Sequence, residues 1–211
     1  LAACGSSQSS NADKTYSYIF VNNPDTLDYI TSTRDSTSSI TTNLIDGLLE
    51  NDQYGNLIPS IAESWTVSKD GLTYTYKIRQ GAKWYTSEGE EYADVTAHDF
   101  VTGLKYAADK KAENLYLVQD SIKGLADYVE GKSSDFGTVG VKAVDDYTLQ
   151  YTLNQPETYW NSKTTASILS PVNEAFLKSK GDDFGSVTPS SILSNGPYLF
   201  KSFTSKSLIE F

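Results

Sequence analysis

Few side chains in this sequence could do covalent or proton-transfer chemistry, and their spacing argues against an enzyme. His98 is the sole histidine in 211 residues, so a Ser-His-Asp relay would have to run through it. It sits inside Thr96-Ala97-His98-Asp99. There Thr96 and Asp99 stand three apart ahead of an apolar run, like a capping box with Asp in the Glu place. That predicts an exposed first-turn residue rather than a catalytic base. Carboxylate pairs occur at Asp145-Asp146 and Asp182-Asp183. Adjacent residues of an extended segment point to opposite faces, so neither pair makes a general acid–base couple, and both read as solvated turns. Gly-x-Ser-x-Gly, Walker and Gly-x-Gly-x-x-Gly patterns do not occur. Zinc would need Cys or His clusters, and one residue of each cannot form one. No cofactor is expected. The remaining reactive group is a single thiol.

That thiol, Cys4, lies in Leu1-Ala2-Ala3-Cys4-Gly5, with a small residue on each side. The pentapeptide resembles the lipobox of a bacterial lipoprotein, which is cut just before the cysteine and linked through it to a diacylglycerol. With Ser6-Ser7-Gln8-Ser9-Ser10-Asn11 next in sequence, Cys4 is expected to carry lipid rather than to sit in a core. No second cysteine is present, so no disulfide can form within the chain. Lys and Arg number 17 against 27 Asp and Glu, a formal charge of −10. That sign disfavours nucleic acid and charge-driven binding to anionic lipid. No run approaches the ~18 apolar residues that would span a bilayer, so the membrane would be reached through acyl chains alone.

The elements that must position any site are mixed. Residues 1–15 read as lipobox and tether, and a Ser-rich coil of about ten residues spans roughly 17 Å. Tyr16 to Val21 is aromatic and β-branched enough for a strand, and Asn22-Asn23-Pro24-Asp25 signals a turn. A helix capped by Ser36 or Ser38 is expected to bury Ile40, Leu44, Ile45, Leu48 and Leu49. Asp70-Gly71 marks a tight turn between Trp65-Thr66-Val67 and the alternating strand Leu72 to Ile78. The Thr96–Asp99 helix should bury Phe100, Val101, Leu104 and Ala108. A second helix should align Val118, Ile122, Leu125 and Val129. Strand character returns at 148–153, at 198–200 and in Ser205 to Phe211, which reads as a strand still in progress. A fragment of a longer protein is therefore expected, with a mixed α/β or α+β fold.

Several motifs coincide with one family. Gly47-Leu48-Leu49-Glu50-Asn51-Asp52 and Gly55-Asn56-Leu57-Ile58-Pro59-Ser60-Ile61-Ala62-Glu63-Ser64-Trp65 resemble the signature of the extracytoplasmic peptide-binding proteins of ABC importers, family 5 of the solute-binding proteins. The likeness continues through Ser68 to Arg79, Gly81-Ala82-Lys83-Trp84, Val95 to Val101, Val141 to Leu149, Ser170-Pro171-Val172 and Ser194-Asn195-Gly196-Pro197-Tyr198. The tether and lipobox look like those of streptococcal oligopeptide-binding lipoproteins.

The resemblance implies the N-terminal part of a two-lobed, type II periplasmic-binding-protein-like fold with a small inserted domain. Residues 16–45 and 156–211 would form part of the first lobe, and 46–155 the inserted α+β unit. The second lobe, with the acidic residue that holds a peptide's ammonium group, would lie outside. The segment after Leu27-Asp28 would pair with a bound peptide as an added strand, which puts Ser32, Thr33, Arg34 and Asp35 at the ligand. Family members often carry Asp-Pro where Asp28-Tyr29 stands. Tyr116 and Thr164, Thr165, Ala166 and Ser167 fall in regions that line the pocket. Trp65, Trp84, Asn195, Gly196 and Pro197 read as packing and turn residues. The implied role is a lipid-anchored receptor on the outer face of a Gram-positive-type membrane. It would capture oligopeptides for a permease with ATPase subunits. The alternative is a surface sensor, adhesin or host-interaction protein on the same fold.

Overall fold

Alternation along 73–78 decides the central sheet. The computed structural model describes Ile19 and residues 22–211, and there Tyr74, Tyr76 and Ile78 are buried while the residues between them are not. This strand (β4, Thr73–Ile78) lies between β3 (Ala62–Val67) and β8 (Thr148–Thr152), and β7 (Val141–Asp145) pairs with β8. All pairings in the four-stranded sheet β3-β4-β8-β7 are antiparallel. The register sets Tyr74 opposite Tyr151 and Tyr76 opposite Leu149, so one face presents a continuous apolar surface. Asp70 and Gly71 make the turn into β4. The Asp70 carboxylate accepts from the Ser68 hydroxyl and the Leu72 amide, and Gly71 adopts φ +73°.

Helix α2 (Ala97–Asp109) covers this sheet by packing on β7 and β8. Its start is the box expected from Thr96 and Asp99. The Asp99 carboxylate accepts from the Thr96 amide at 2.9 Å and from the Trp84 indole at 3.0 Å. Phe100, Leu104 and Ala108 are buried, and Val101 is half-buried. Gly103 lets the Ser170 carbonyl approach so closely that a Cβ there would stand 2.2 Å from it. The Val172 amide then donates to the Asp99 carbonyl at 2.9 Å.

Trp160, fully buried at the start of α4 (Trp160–Lys163), extends the core beyond residue 155. Its ring centroid lies 5.3 Å from that of Tyr151 and 6.2 Å from that of Tyr74. One buried apolar cluster runs from Leu27 to Phe200 through both regions. The smaller pieces are the hairpins β1–β2 (Leu49–Asn51, Leu57–Pro59), β5–β6 (Lys83–Tyr85, Glu91–Asp94) and β9–β10 (Ser202–Thr204, Leu208–Glu210).

Three expectations about local structure change, and a fourth is not tested. The strand read over 16–21 lies outside the described residues apart from Ile19. Helix α1 is only Asp35–Thr41, with Arg34 rather than Ser36 or Ser38 at its N-cap. Ser and Thr hydroxyls along it bond back to the preceding carbonyls, which weakens a helix. The chain is then taken by residues 194–196: the Leu44 carbonyl accepts from the Ser194 hydroxyl and the Asn195 and Gly196 amides. Asn195 also bridges both backbone groups of Asp46. Leu44, Leu48 and Leu49 are buried as expected, but outside any helix.

Residues 118–129 likewise bury Val118, Ile122 and Leu125 without forming one helix. A 3-10 turn (Glu113–Leu117) is followed by further turns with a single antiparallel bridge from Ile122 to Leu153, and by a short α3 (Leu125–Val129). The Lys123 amide donates to the Thr152 carbonyl and the Asn154 amide to the Ser121 carbonyl, which ties the stretch to the end of β8. Gly124, in the left-handed region at φ +71°, turns the chain into α3. Residues 198–200 form no strand, because the Tyr198 amide is engaged by the Asn43 carbonyl. The terminal strand character is β10, which folds back on β9 around Lys206 at φ +60°.

Candidate peptide-binding segment

Asp28 builds the ground on which the candidate ligand residues stand. Its Oδ1 accepts from the amides of Ile30 and Thr31, both at 3.1 Å. Its Oδ2 accepts from the Thr31 hydroxyl at 2.6 Å and from the Tyr106 phenol at 2.8 Å. Burial, then the Asp28 carboxylate, push the Tyr106 phenol well above its ordinary pKa, so Tyr106 remains a donor. From the other side, the Gly185 carbonyl accepts from the Leu27 amide and the Thr26 hydroxyl. Gly185 has φ +73°, and a Cβ there would lie 2.6 Å from three atoms of Asp28. The turn at 28–31 is thus gripped by side chain, helix and loop at once.

Beyond that turn Ser32, Thr33 and Arg34 lie outside any helix or strand, and Arg34 is extended at φ −77° and ψ 135°. The Ser32 amide donates to the Asp28 carbonyl, and the Ser32 hydroxyl accepts from the Arg34 amide at 3.3 Å. The Thr33 amide and the Ser32 and Thr33 carbonyls have no backbone partner among the described residues. Free backbone donors and acceptors of this kind are a template for an added strand. Arg34 pairs through Nε with Asp25 Oδ2 at 3.1 Å, with both side chains largely exposed, so its own loop partners this cation. Asp35 opens α1 and is exposed.

The structure brings Tyr116 to this neighbourhood. The Thr33 hydroxyl donates to Glu113 Oε2 at 2.9 Å. Glu113 and Tyr116 share the 3-10 turn Glu113–Leu117, and Tyr116 is 74% exposed, unusual for so large a ring. Residues 164–167 are held differently. Thr164 is buried and its hydroxyl donates to the Asn161 carbonyl at 2.8 Å, whereas Thr165 is exposed and Ala166 and Ser167 are half-buried. Lys163, just before them, donates to the Ser121 hydroxyl at 2.6 Å and pairs with the buried Glu157 at 2.9 Å. Among the described residues, no hydrogen bond joins 164–167 directly to 32–35. No described group of three or more His, Cys, Asp or Glu side chains could hold a metal ion. No described helix is long and apolar enough to cross a membrane. Cys4 lies outside the described residues.

The family model for bacterial extracellular solute-binding proteins, family 5 (middle region), matches residues 56–211. The chain belongs to this family. It is 68% identical over 211 residues to the oligopeptide-binding protein AliB of Streptococcus pneumoniae, covering all of this chain and 32% of that protein. It is 64% identical to the oligopeptide-binding protein AmiA of the same species, again over 32% of the relative. Among solved structures, OppA of Listeria monocytogenes bound to peptide superposes with a TM-score of 0.76 at 33% identity, over 85% of this chain and 34% of that one. The chain therefore spans about a third of the length of the relatives it matches. Its fold matches the corresponding part of that Listeria structure, and the family is one of solute binders rather than enzymes.

Sequence reasoning missed Glu113, Tyr106 and Gly185. Asp28 followed by Thr31 did carry a local signal, since an Asp side chain often accepts from amides two and three residues on. Nothing local marks Tyr106 or Gly185, which reach Asp28 from 78 and 157 positions away in the chain.

Proposed function

We propose that this chain is part of a lipid-anchored receptor that captures extracellular oligopeptides for an ABC importer. The observation that carries the reading is the set of open backbone groups at Ser32 and Thr33, seated on the Asp28 turn and joined through Glu113 to the 3-10 turn that carries exposed Tyr116. Main-chain pairing to such a segment recognises peptides of any sequence, and a nearby aromatic ring adds contact area without demanding a particular residue. The names of the relatives support the same substrate class. In this reading Cys4 carries the lipid and residues 1–15 form lipobox and tether. Residues 46–155 are the inserted unit, docked on 16–45 and 156–211. The second lobe lies in the part of the relatives to which this chain has no counterpart. Thr164, Thr165, Ala166 and Ser167 line the pocket, and delivery is to permease and ATPase subunits.

Full-length protein incubated with a random peptide mixture, washed and analysed by mass spectrometry tests this directly. Peptides of varied sequence should be recovered. A protein that retains none, or that retains sugars instead, would remove the reading.

A further inference from the structure

Neither Glu113 nor Asp35 has a charged partner among the described residues, but only Glu113 is held by the Thr33 side chain. Asp25 is paired with Arg34, Asp28 is shared among four donors, and Asp109 is engaged by Lys105 and the Tyr128 phenol. Glu113 is exposed, and its one hydrogen bond among the described residues is the one it accepts from Thr33. Neither Lys110, whose ammonium lies over the Tyr106 ring, nor Lys111 forms an ion pair with it. That hydroxyl fixes Oε2 and leaves Oε1 with no protein partner.

We infer that Glu113, positioned by Thr33, makes this receptor prefer peptides with a cationic group at the residue lying opposite Thr33. The inference rests on the peptide-binding reading and deepens it. Residues directly opposite each other on neighbouring strands project their side chains to the same face, with Cβ atoms about 5 Å apart. The Thr33 side chain points to Glu113, because its hydroxyl bonds there. A ligand residue opposite Thr33 therefore sends its side chain toward the same carboxylate. A lysine or arginine there gains a charge-assisted bond to the free oxygen. An acidic residue meets a like charge in a space that bound peptide partly dries.

The cationic group could be a lysine side chain or the peptide's own terminal ammonium, and the test separates them. Affinities of full-length protein are measured for alanine-based peptides with one lysine moved along the chain, each free or N-acetylated, alongside the glutamate-substituted and all-alanine peptides. At one position lysine should bind roughly fivefold tighter than alanine, and glutamate weaker by a similar factor, as for a single exposed or half-exposed pair. Persistence after acetylation assigns the side chain, and loss assigns the terminus. Glu113→Gln should collapse the lysine preference, Thr33→Val should reduce it and Thr33→Ser should keep it. Glu90→Gln, which removes an exposed carboxylate elsewhere, should leave it intact. A preference unchanged in Glu113→Gln, or lowered equally in Glu90→Gln, would overturn the inference while leaving peptide capture standing. A wild type that binds no peptide of the series would instead remove the receptor reading, and the inference with it.

Discussion

Replacing Asp28 should damage both stability and binding, because one carboxylate closes the turn that aims the candidate strand. Asp28→Ala strips the acceptor from the Ile30 and Thr31 amides and from the Thr31 and Tyr106 hydroxyls. Thr31 is half-exposed, so its two groups can turn to water. Ile30 is fully buried and its amide cannot, and the Tyr106 phenol is only partly exposed. Two hydrogen bonds to a charged acceptor at ~1.5–3 kcal/mol each give a loss of about 3–5 kcal/mol, after allowing for the carboxylate desolvation that is relieved. Asp28→Asn keeps Oδ1 for both amides and offers Nδ2 to hydroxyls that can rotate to accept, so it should cost only ~1 kcal/mol. Urea unfolding of the full-length protein gives the stability difference, and peptide calorimetry should show affinity falling more in Asp28→Ala than in Asp28→Asn. A double-mutant cycle with Tyr106→Phe should return a coupling of about 1–3 kcal/mol. An Asp28→Ala protein within ~1 kcal/mol of wild type, or one that keeps peptide as well as Asp28→Asn does, would refute the reasoning.

Burial raises the Asp99 pKa from 3.8 to about 6, against the opposing pull of the Thr96 amide, the Trp84 indole and His98. A raised carboxyl pKa means that the folded state binds the proton more tightly. The contribution is therefore present below the unfolded value and is lost as pH climbs through the folded one, a change of about 3 kcal/mol at 1.36 kcal/mol per unit. Asp99→Asn should gain on wild type by that amount from about pH 4 to pH 7 in urea midpoints, and parallel profiles would contradict the assigned pKa. Gly185→Ala forces an L side chain into φ +73° with its Cβ 2.6 Å from Asp28, whereas Gly131→Ala at φ +75° meets nothing within 4 Å. Thermal unfolding should show Gly131→Ala losing about 1 kcal/mol and Gly185→Ala at least twice that, with equal losses excluding the packing argument. Cys4→Ser in the full precursor should abolish lipid labelling and release protein from membranes, and unchanged retention would disprove the anchor.

Where a residue's partners lie within a few positions in sequence, the sequence determined the outcome. Alternation over 73–78 buries Tyr74, Tyr76 and Ile78, Asp70-Gly71 turns the chain into them, and Asp99 caps the helix that Thr96 begins. These depend on backbone sterics and on hydrogen bonds closed over two to five residues, so they are written locally. The motifs at 47–65 and 194–198 likewise carry the family resemblance in the sequence alone. What sequence could not settle is where a distant segment outbids a local preference. Periodicity suggests helices through Leu44 and across 118–129, yet residues 194–196 and the end of β8 capture those backbones instead. Their apolar residues are buried all the same, since burial needs only a covered face and not a particular backbone shape. The candidate site belongs mostly to this second kind. Ser32–Asp35 and Tyr116 are proposed by resemblance and the Asp28 turn is local, but Asp28 with Tyr106 and Gly185, and Thr33 with Glu113, join residues about 80 to 160 positions apart. Only folding brings such groups within hydrogen-bond distance, because side-chain hydrogen bonds act over about 3 Å and leave no periodic trace in the chain.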